Sequence, residues 1–294
     1  MTREPDGADA PAPGGAGAEG DPNAAQIAYW NGPGGERWVT TWPLLDRAEA
    51  AITAALLELA APREGERVLD VGCGTGTPTL VLRERVGAGG AVTGIDVSAP
   101  MLAVARARAA GTGVLFVEAD AATHAFRPEH DLLFSRFGVM FFADPRLAFA
   151  NLRRAAAPGG RLVFVCWRTS DDNACATVPL DAARALVPGI ELPPPHVPGP
   201  FAFIDCERVR GYLDGAGWRE IAIERRDQLM YFGETTEEAA DTALRIGPLA
   251  RGVVDLEEDT RGRLRDRLAA ALAAYATPAG VALPSSCWLV SARA

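Results

Sequence analysis

The stretch VLDVGCGTG, residues 68–76, constrains this chain more than any other. An apolar run reaches Asp70, and glycines then fall at alternate positions, Gly72, Gly74 and Gly76. Thr77 and Pro78 open the segment TPTLVLRERV, which has the spacing of an amphipathic helix. The pattern predicts a buried strand, a turn with almost no side chains, and a helix with Pro78 at its first position and Thr77 as its cap. Such a turn lets backbone N–H groups approach a ligand closely, and the helix N-terminus favours negative charge. It suits a nucleotide-like small molecule.

Dinucleotide folds also place a glycine turn after their first strand, but they require G-x-G-x-x-G. Here Thr77 stands where the last of those glycines belongs. Two further acids follow. AVTGIDVS ends a second strand at Asp96, about twenty residues past the glycines, the distance at which a strand–helix–strand unit brings a carboxylate to a ribose diol. VLFVEADAATHAF ends a third strand at Glu118 and places Asp120 just beyond. Any one of these acids alone reads better as a helix cap. Together with the glycine turn they resemble the first motifs of the class I S-adenosylmethionine (SAM) dependent methyltransferases. The fourth strand at Asp131–Ser135, the helix PRLAFANLRRAAA, the turn Pro158–Gly160 and the fifth strand RLVFVCWR continue the likeness. With YWNGPGGERW (residues 29–38) and the tail WLVSARA, they resemble the ubiquinone-biosynthesis-like small-molecule group over about residues 25–294.

The resemblance implies an α/β fold, a Rossmann-like doubly wound sheet of seven strands whose last strand, near residues 288–291, runs antiparallel between its neighbours. It implies that SAM is bound and leaves as S-adenosylhomocysteine (SAH). The implied cofactor site comprises Asp70, Gly72, Cys73, Gly74, Gly76, Thr77, Asp96, Val97, Met101, Asp120, Ala121, Ser135 and Phe137, with Asp96 on the ribose and Asp120 on the adenine amine. Tyr29, Trp30 and Trp38 suit a sulfonium, which gains from an aromatic face, and suit a hydrophobic staple of the N-terminal helices equally well. Phe141 and Phe142 read either as ligand wall or as core beneath a loop.

The organisation expected is a disordered leader over 1–24 and one methyltransferase domain over 25–294. Within it, 25–62 forms a helical cover, 63–167 the SAM-binding core, and 168–203 and 227–283 substrate-covering insertions. The glycines of NGPGG give the first cover room to hinge, and the prolines of 193–203 stiffen another. For catalysis the candidates are His196, in the proline-rich loop, as general base, and Arg136, which would hold a substrate carboxylate or pair with an acid such as Asp144. His124 and His130 read as solvated.

Composition narrows the partners. Net charge is −9, and every one of the 29 basic residues is arginine, which removes lysine Schiff-base chemistry. Nothing draws the chain to nucleic acid or an anionic membrane. The run RGRLRDRL at 261–268 is interleaved with acids and reads as a salt-bridged helix face. Five cysteines without C-x-x-C spacing fit reduced thiols in a cytoplasm and offer no metal site. No signal peptide or membrane span is legible. Methyl transfer to a small, partly apolar metabolite is the reading, with an NAD(P)-dependent oxidoreductase and a non-catalytic SAM-binding protein as alternatives. The motifs name neither the acceptor nor the oligomeric state, and O-, N-, C- and S-methylation are all compatible with them.

Overall fold

The computed structural model describes residues 23–294, so most of the expected leader lies outside the described residues. Of that segment's last two residues, Asn23 is buried and Ala24 opens the first helix. Three helices precede the sheet: α1 (Ala24–Trp30), α2 (Pro33–Ala48) and α3 (Ala50–Ala60). Strand and helix then alternate through β1 (Arg67–Val71), α4 (Thr77–Val86), β2 (Ala91–Asp96), α5 (Ala99–Arg108), β3 (Leu115–Glu118), β4 (His130–Arg136), α6 (Pro145–Ala155) and β5 (Ala156–Trp167). After β5 come α7 (Ala174–Ala183), α8 (Cys206–Gly215), β6 (Arg219–Gly233), α9 (Thr236–Ala243), α10 (Leu249–Gly252), α11 (Glu258–Leu272), the two-residue β7 (Ala276–Thr277) and β8 (Gly280–Arg293).

The strands form one sheet in the order β3-β2-β1-β4-β5-β8-β6, with the short β7 added beside β8. β1 to β5 pair in parallel, and β8 runs antiparallel between β5 and β6, as the resemblance implies. The one extra strand, β7, makes eight strands instead of seven. Helices on both faces bury the central strands, so β1 and β4 are buried along almost their whole length. The order reverses between β1 and β4, and open α/β sheets bind ligands at the carboxyl ends of the strands at such a switch point.

Two stretches differ from the sequence reading. Pro158–Gly160 belongs to β5, where its register against β4 shifts between His130 and Leu132, so the expected turn is a bulge. β6 and β8 span 15 and 14 residues, far beyond the expected 219–224 and 288–291. Their added length pairs from Arg225 opposite Trp288 to Gly233 opposite Val281. Glu224 to Asp227 are exposed and charged, which hides the strand from a hydropathy reading. Beyond them Met230, Phe232, Val281 and Leu283 form a second core with Ala239, Ala240, Leu264, Leu268 and Leu272 of α9 and α11. Arg265–Asp241 and Arg263–Asp259 pairs lie along α11, the salt-bridged face expected of its arginines.

The expected turn NGPGG shrinks to Asn31–Gly32, and Gly34 and Gly35 are helical. They serve close packing, not hinging. A Cβ on Gly35 would lie 2.1 Å from the Trp30 carbonyl oxygen and 2.8 Å from Ser98 Oγ. Ser98 Oγ donates to Trp30 O (2.6 Å), and Asn31 bonds Val97 O (2.7 Å) and Ala99 N (2.9 Å). These contacts clamp the N-terminal helices onto the start of α5, at the mouth of the glycine turn.

Candidate active site

The glycine turn is built on left-handed backbone at alternate residues, with φ of 68° at Gly72, 53° at Gly74 and 83° at Gly76. Gly72 N donates to Ile95 O at 2.8 Å, tying the turn to the end of β2. The Asp96 carboxylate, buried at that strand end, accepts from Gly74 N (2.8 Å) and Ser98 N (2.9 Å). One carboxylate therefore fixes both the glycine turn and the start of α5, and two of its roughly four lone-pair sites remain for a ligand. Asp70 is buried beneath the turn and accepts from Thr79 Oγ1 at 2.6 Å. Asp120 accepts from Ala122 N (2.8 Å) and from Asn23 Nδ2 (3.1 Å), so the start of the described chain folds onto this acid.

A cavity of about 230 Å³ opens over these strand ends. It is lined by Asp70, Gly72, Cys73, Gly74, Asp96, Val97, Met101, Asp120, Ala121, Phe137, Tyr29 and Trp38, twelve of the fifteen cofactor residues expected from sequence. The other three stand behind it. Gly76 packs under α5, where a Cβ would be 3.1 Å from Ala105 and 3.3 Å from the Phe116 ring. Thr77 does not cap α4, whose cap residue is Gly76; its hydroxyl donates to Asp46 and accepts from Arg108 at 2.8 Å. Ser135 donates to Val71 O (2.7 Å) and accepts from Gly138 N (3.2 Å), locking β4 to β1. They support the loop and are not among the cavity-lining residues.

The residues present fit SAM. Gly74 is side-chain-free where it lines the cavity, and a Cβ there would meet only Met101 Sδ, at 3.8 Å. Carboxylates at Asp96 and Asp120 suit a ribose diol and an exocyclic amine. Tyr29, Trp30, Trp38 and Phe141 form an edge-to-face chain with centroids 5.1–5.5 Å apart, an aromatic wall suited to a sulfonium. Phe141 and Phe142 both line the cavity. Phe137 adopts φ 60° and stacks on Trp167 at 4.3 Å. Left-handed backbone at a bulky residue costs on the order of 1–3 kcal/mol, and such strain concentrates at functional sites.

The catalytic candidates fare differently. His196 is exposed, lies in left-handed backbone and is not among the cavity-lining residues; its backbone N–H donates to Phe201 O. Arg136 lines the cavity but is already engaged, with Asp46 at 2.9 Å, Thr53 Oγ1 at 3.0 Å and Glu49 at 3.7 Å. Asp144 instead caps α6. His130 is buried, not solvated: its Nδ1 lies 3.1 Å from Ala155 O, and burial lowers its pKa. His124 is half-buried against Phe126.

Sequence reasoning missed Asn23, assigned to the leader, and Glu49, an acid inside the Ala/Leu-rich run of residues 48–61. An acid inside such a run was the available signal. It also missed the cavity's far wall, where Met230, Phe232 and Ile246 join Trp167 and Phe201. Arg37, Arg245 and Arg251 line the same cavity, and none forms an ion pair among the described residues. Pro193, Pro200 and Phe201 of the proline-rich loop do reach it, and Gly199 N anchors that loop to Met140 O at 3.1 Å.

Burial pushes the carboxyl of Glu49 up to about 7, with Arg136 pulling it down and Asp46 pushing it further up. Burial also pushes Asp70 up to about 7, against the Thr79 hydrogen bond and Arg136. Both bind protons more tightly folded than unfolded. Their contribution is full below about pH 4 and lost as pH rises through 7, on the order of 3–4 kcal/mol each. His130, lowered by burial, works the other way near pH 6.5. Ligand-free protein is expected to melt lower at pH 8 than at pH 5.5, with the fall reduced by about half in Asp70→Asn. An unchanged pH dependence in that variant would show that Asp70 does not set it.

A family model described as a methyltransferase domain matches residues 69–164. A demethylmenaquinone methyltransferase of Thermus thermophilus is 44% identical over 113 residues, covering 37% of this chain and 50% of that protein. A ubiquinone/menaquinone biosynthesis C-methyltransferase of Azotobacter vinelandii is 30% identical over 188 residues, covering 56% of this chain and 70% of that protein. Among solved structures, phosphoethanolamine N-methyltransferase 2 of Haemonchus contortus, bound to phosphomonomethylethanolamine and SAH, superposes with a TM-score of 0.51 at 20% identity. That match covers 83% of this chain and 52% of the other, and it is a likeness of fold. The chain belongs to the class I SAM-dependent methyltransferases. It spans about half the length of the first curated relatives it matches.

Proposed function

We propose that this protein transfers a methyl group from SAM to a small, partly apolar acceptor enclosed over the strand ends. One observation carries the reading: a single cavity runs from the glycine turn and Asp96 to the apolar wall of Trp167, Met230, Phe232 and Ile246. The helices over 25–62 and the segments 168–203 and 227–283 act as its cover. Among the described residues, no helix is long and apolar enough to cross a membrane, and a cytoplasmic location belongs to the same reading.

SAM would supply an activated methyl group on a sulfonium. The chain's own task is positioning, which can supply up to about 7–11 kcal/mol of a barrier. Gly72 and Gly74 admit the cofactor against the backbone, Asp96 and Asp120 hold its ribose and adenine, and the aromatic wall excludes water. A water-poor pocket favours a reaction in which charge is dispersed. Arg37, Arg245 and Arg251, without ion-pair partners among the described residues, suit carboxylates on the cofactor or acceptor.

The direct test incubates the protein with methyl-labelled SAM and a metabolite extract. Label in a small-molecule product supports the reading, and SAH binding without any transfer favours a SAM-binding protein instead. Asp96→Ala is expected to weaken SAH binding by about 1–3 kcal/mol, because ribose hydroxyls lose their partner. It should also lower the melting temperature, since Gly74 N and Ser98 N lose theirs. Calorimetry showing unchanged SAH affinity would remove Asp96 from the site.

A further inference from the structure

We infer that Glu49 is the proton acceptor for the methyl acceptor, which is therefore an oxygen or carbon acid such as a phenol or enol. The inference rests on the methyl-transfer reading above and names the acceptor class it serves. Glu49 sits at the junction of α2 and α3 and lines the cavity, although its side chain is only 8% exposed. Among the described residues, nothing donates a hydrogen bond to its carboxylate. Among those residues its one ionic partner is Arg136 Nε, at 3.7 Å and beyond hydrogen-bond reach. That guanidinium is already satisfied by Asp46 and Thr53 Oγ1.

The surroundings hold two carboxylates against one guanidinium. Asp46 on α2 makes the short contact to Arg136 of β4, leaving Glu49 as the surplus acid. The thiols nearest in its field, Cys175 of α7 and Cys287 of β8, are pushed up by burial, Cys175 to about 12, so neither competes for a proton near neutrality. Asp70 of β1 titrates beneath the glycine turn and is held by Thr79. A buried carboxyl raised toward 7 has the proton affinity that general-base work near neutral pH requires. His196, the base expected from sequence, is exposed.

In the step itself, the acceptor's O–H or C–H proton moves to a Glu49 carboxylate oxygen. The electron pair left on the acceptor bonds to the methyl carbon as the carbon–sulfur bond breaks, sulfur keeping that bond's pair. Glu49 then releases the proton to solvent. A neutral amine or a thioether would need no such group.

The test compares the full chain with Glu49→Gln. In infrared difference spectra of the SAH complex between pH 5 and 9, the wild type should show protonated-carboxyl intensity titrating near neutrality from both Glu49 and Asp70, and the variant should lack the Glu49 component while keeping that of Asp70. Label transfer from methyl-tritiated SAM into the extract should fall at least about 100-fold in the variant. Its residual rate should lose the rise with pH, with SAH affinity unchanged within about threefold. Gln removes a buried charge, so the variant should melt no lower than the wild type at pH 8. The proposal is overturned if Glu49 is ionised throughout, if the variant keeps turnover within threefold, or if SAH affinity falls in step with turnover. A wild type that binds SAH and labels nothing overturns the methyl-transfer reading, and the proposal with it.

Discussion

Arg136→Met should destabilise the protein by about 3–5 kcal/mol at pH 8, because it leaves buried carboxylates without their counter-charge. The Arg136 side chain is 12% exposed, and its partners Asp46 and Glu49 are 16% and 8% exposed. Methionine approximates the arginine stem, so the loss reports the charge and not a void. The damage should spread to the cofactor end as well. Asp46 also accepts from Thr77, and Arg108 bonds both Thr77 and the Thr75 carbonyl while lying over the Trp42 ring at 3.9 Å. Releasing Asp46 therefore loosens the loop that carries Gly74. The deficit should shrink at pH 5.5, where Glu49 takes up a proton and one of the two stranded charges disappears. Urea unfolding at the two pH values measures this. A loss below about 1 kcal/mol, the range of exposed ion pairs, would contradict the buried network.

Gly72→Ala should abolish measurable SAH binding and cost several kcal/mol of stability. A Cβ at Gly72 would stand 2.8 Å from Gly138 Cα, backbone against backbone, with no flexible side chain to yield. The residue also sits at φ 68°, where a Cβ costs about 1–2 kcal/mol before any clash. Relief requires moving the turn away from β4, which carries Gly74 N off Asp96. Gly65→Ala separates the two causes. Gly65 has φ 82° but nothing within 4 Å of an added methyl, so that variant bears the conformational cost alone and should keep full SAH affinity. Equal losses in both variants would show that the contact with Gly138 is not what matters.

The features legible in the sequence are those whose causes are local. A strand, a side-chain-free turn and a helix follow one another within twenty residues, and the acid at the next strand end keeps a fixed separation from them. That is why Asp70, Gly72, Gly74, Asp96 and Asp120, all of which line the one cavity, could be expected at a shared crevice. Thr77 and Ser135 sit beside the same motif, yet their hydroxyls turn toward Asp46 and Val71. Sequence proximity to a ligand turn does not fix which way a side chain points. The Glu49–Arg136–Asp46 cluster was not legible, because it joins residues about ninety positions apart; Arg136 and Asp46 are separated by 90. Only the docking of α2 and α3 onto β4 brings them together. The long β6–β8 pair escaped for another reason. The middle of β6 is charged and exposed, so hydropathy falls where pairing continues, and its far end is buried only because α9 and α11 fold over it.

Titration calorimetry with SAH and NAD, on the wild type and on Asp96→Ala, tests the central claim most directly. The expected result is one SAH site per chain, no heat from NAD, and SAH affinity lowered by roughly tenfold to a hundredfold in the variant, the equivalent of about 1–3 kcal/mol. Binding of NAD with SAH silent, or SAH binding that ignores Asp96, would contradict it.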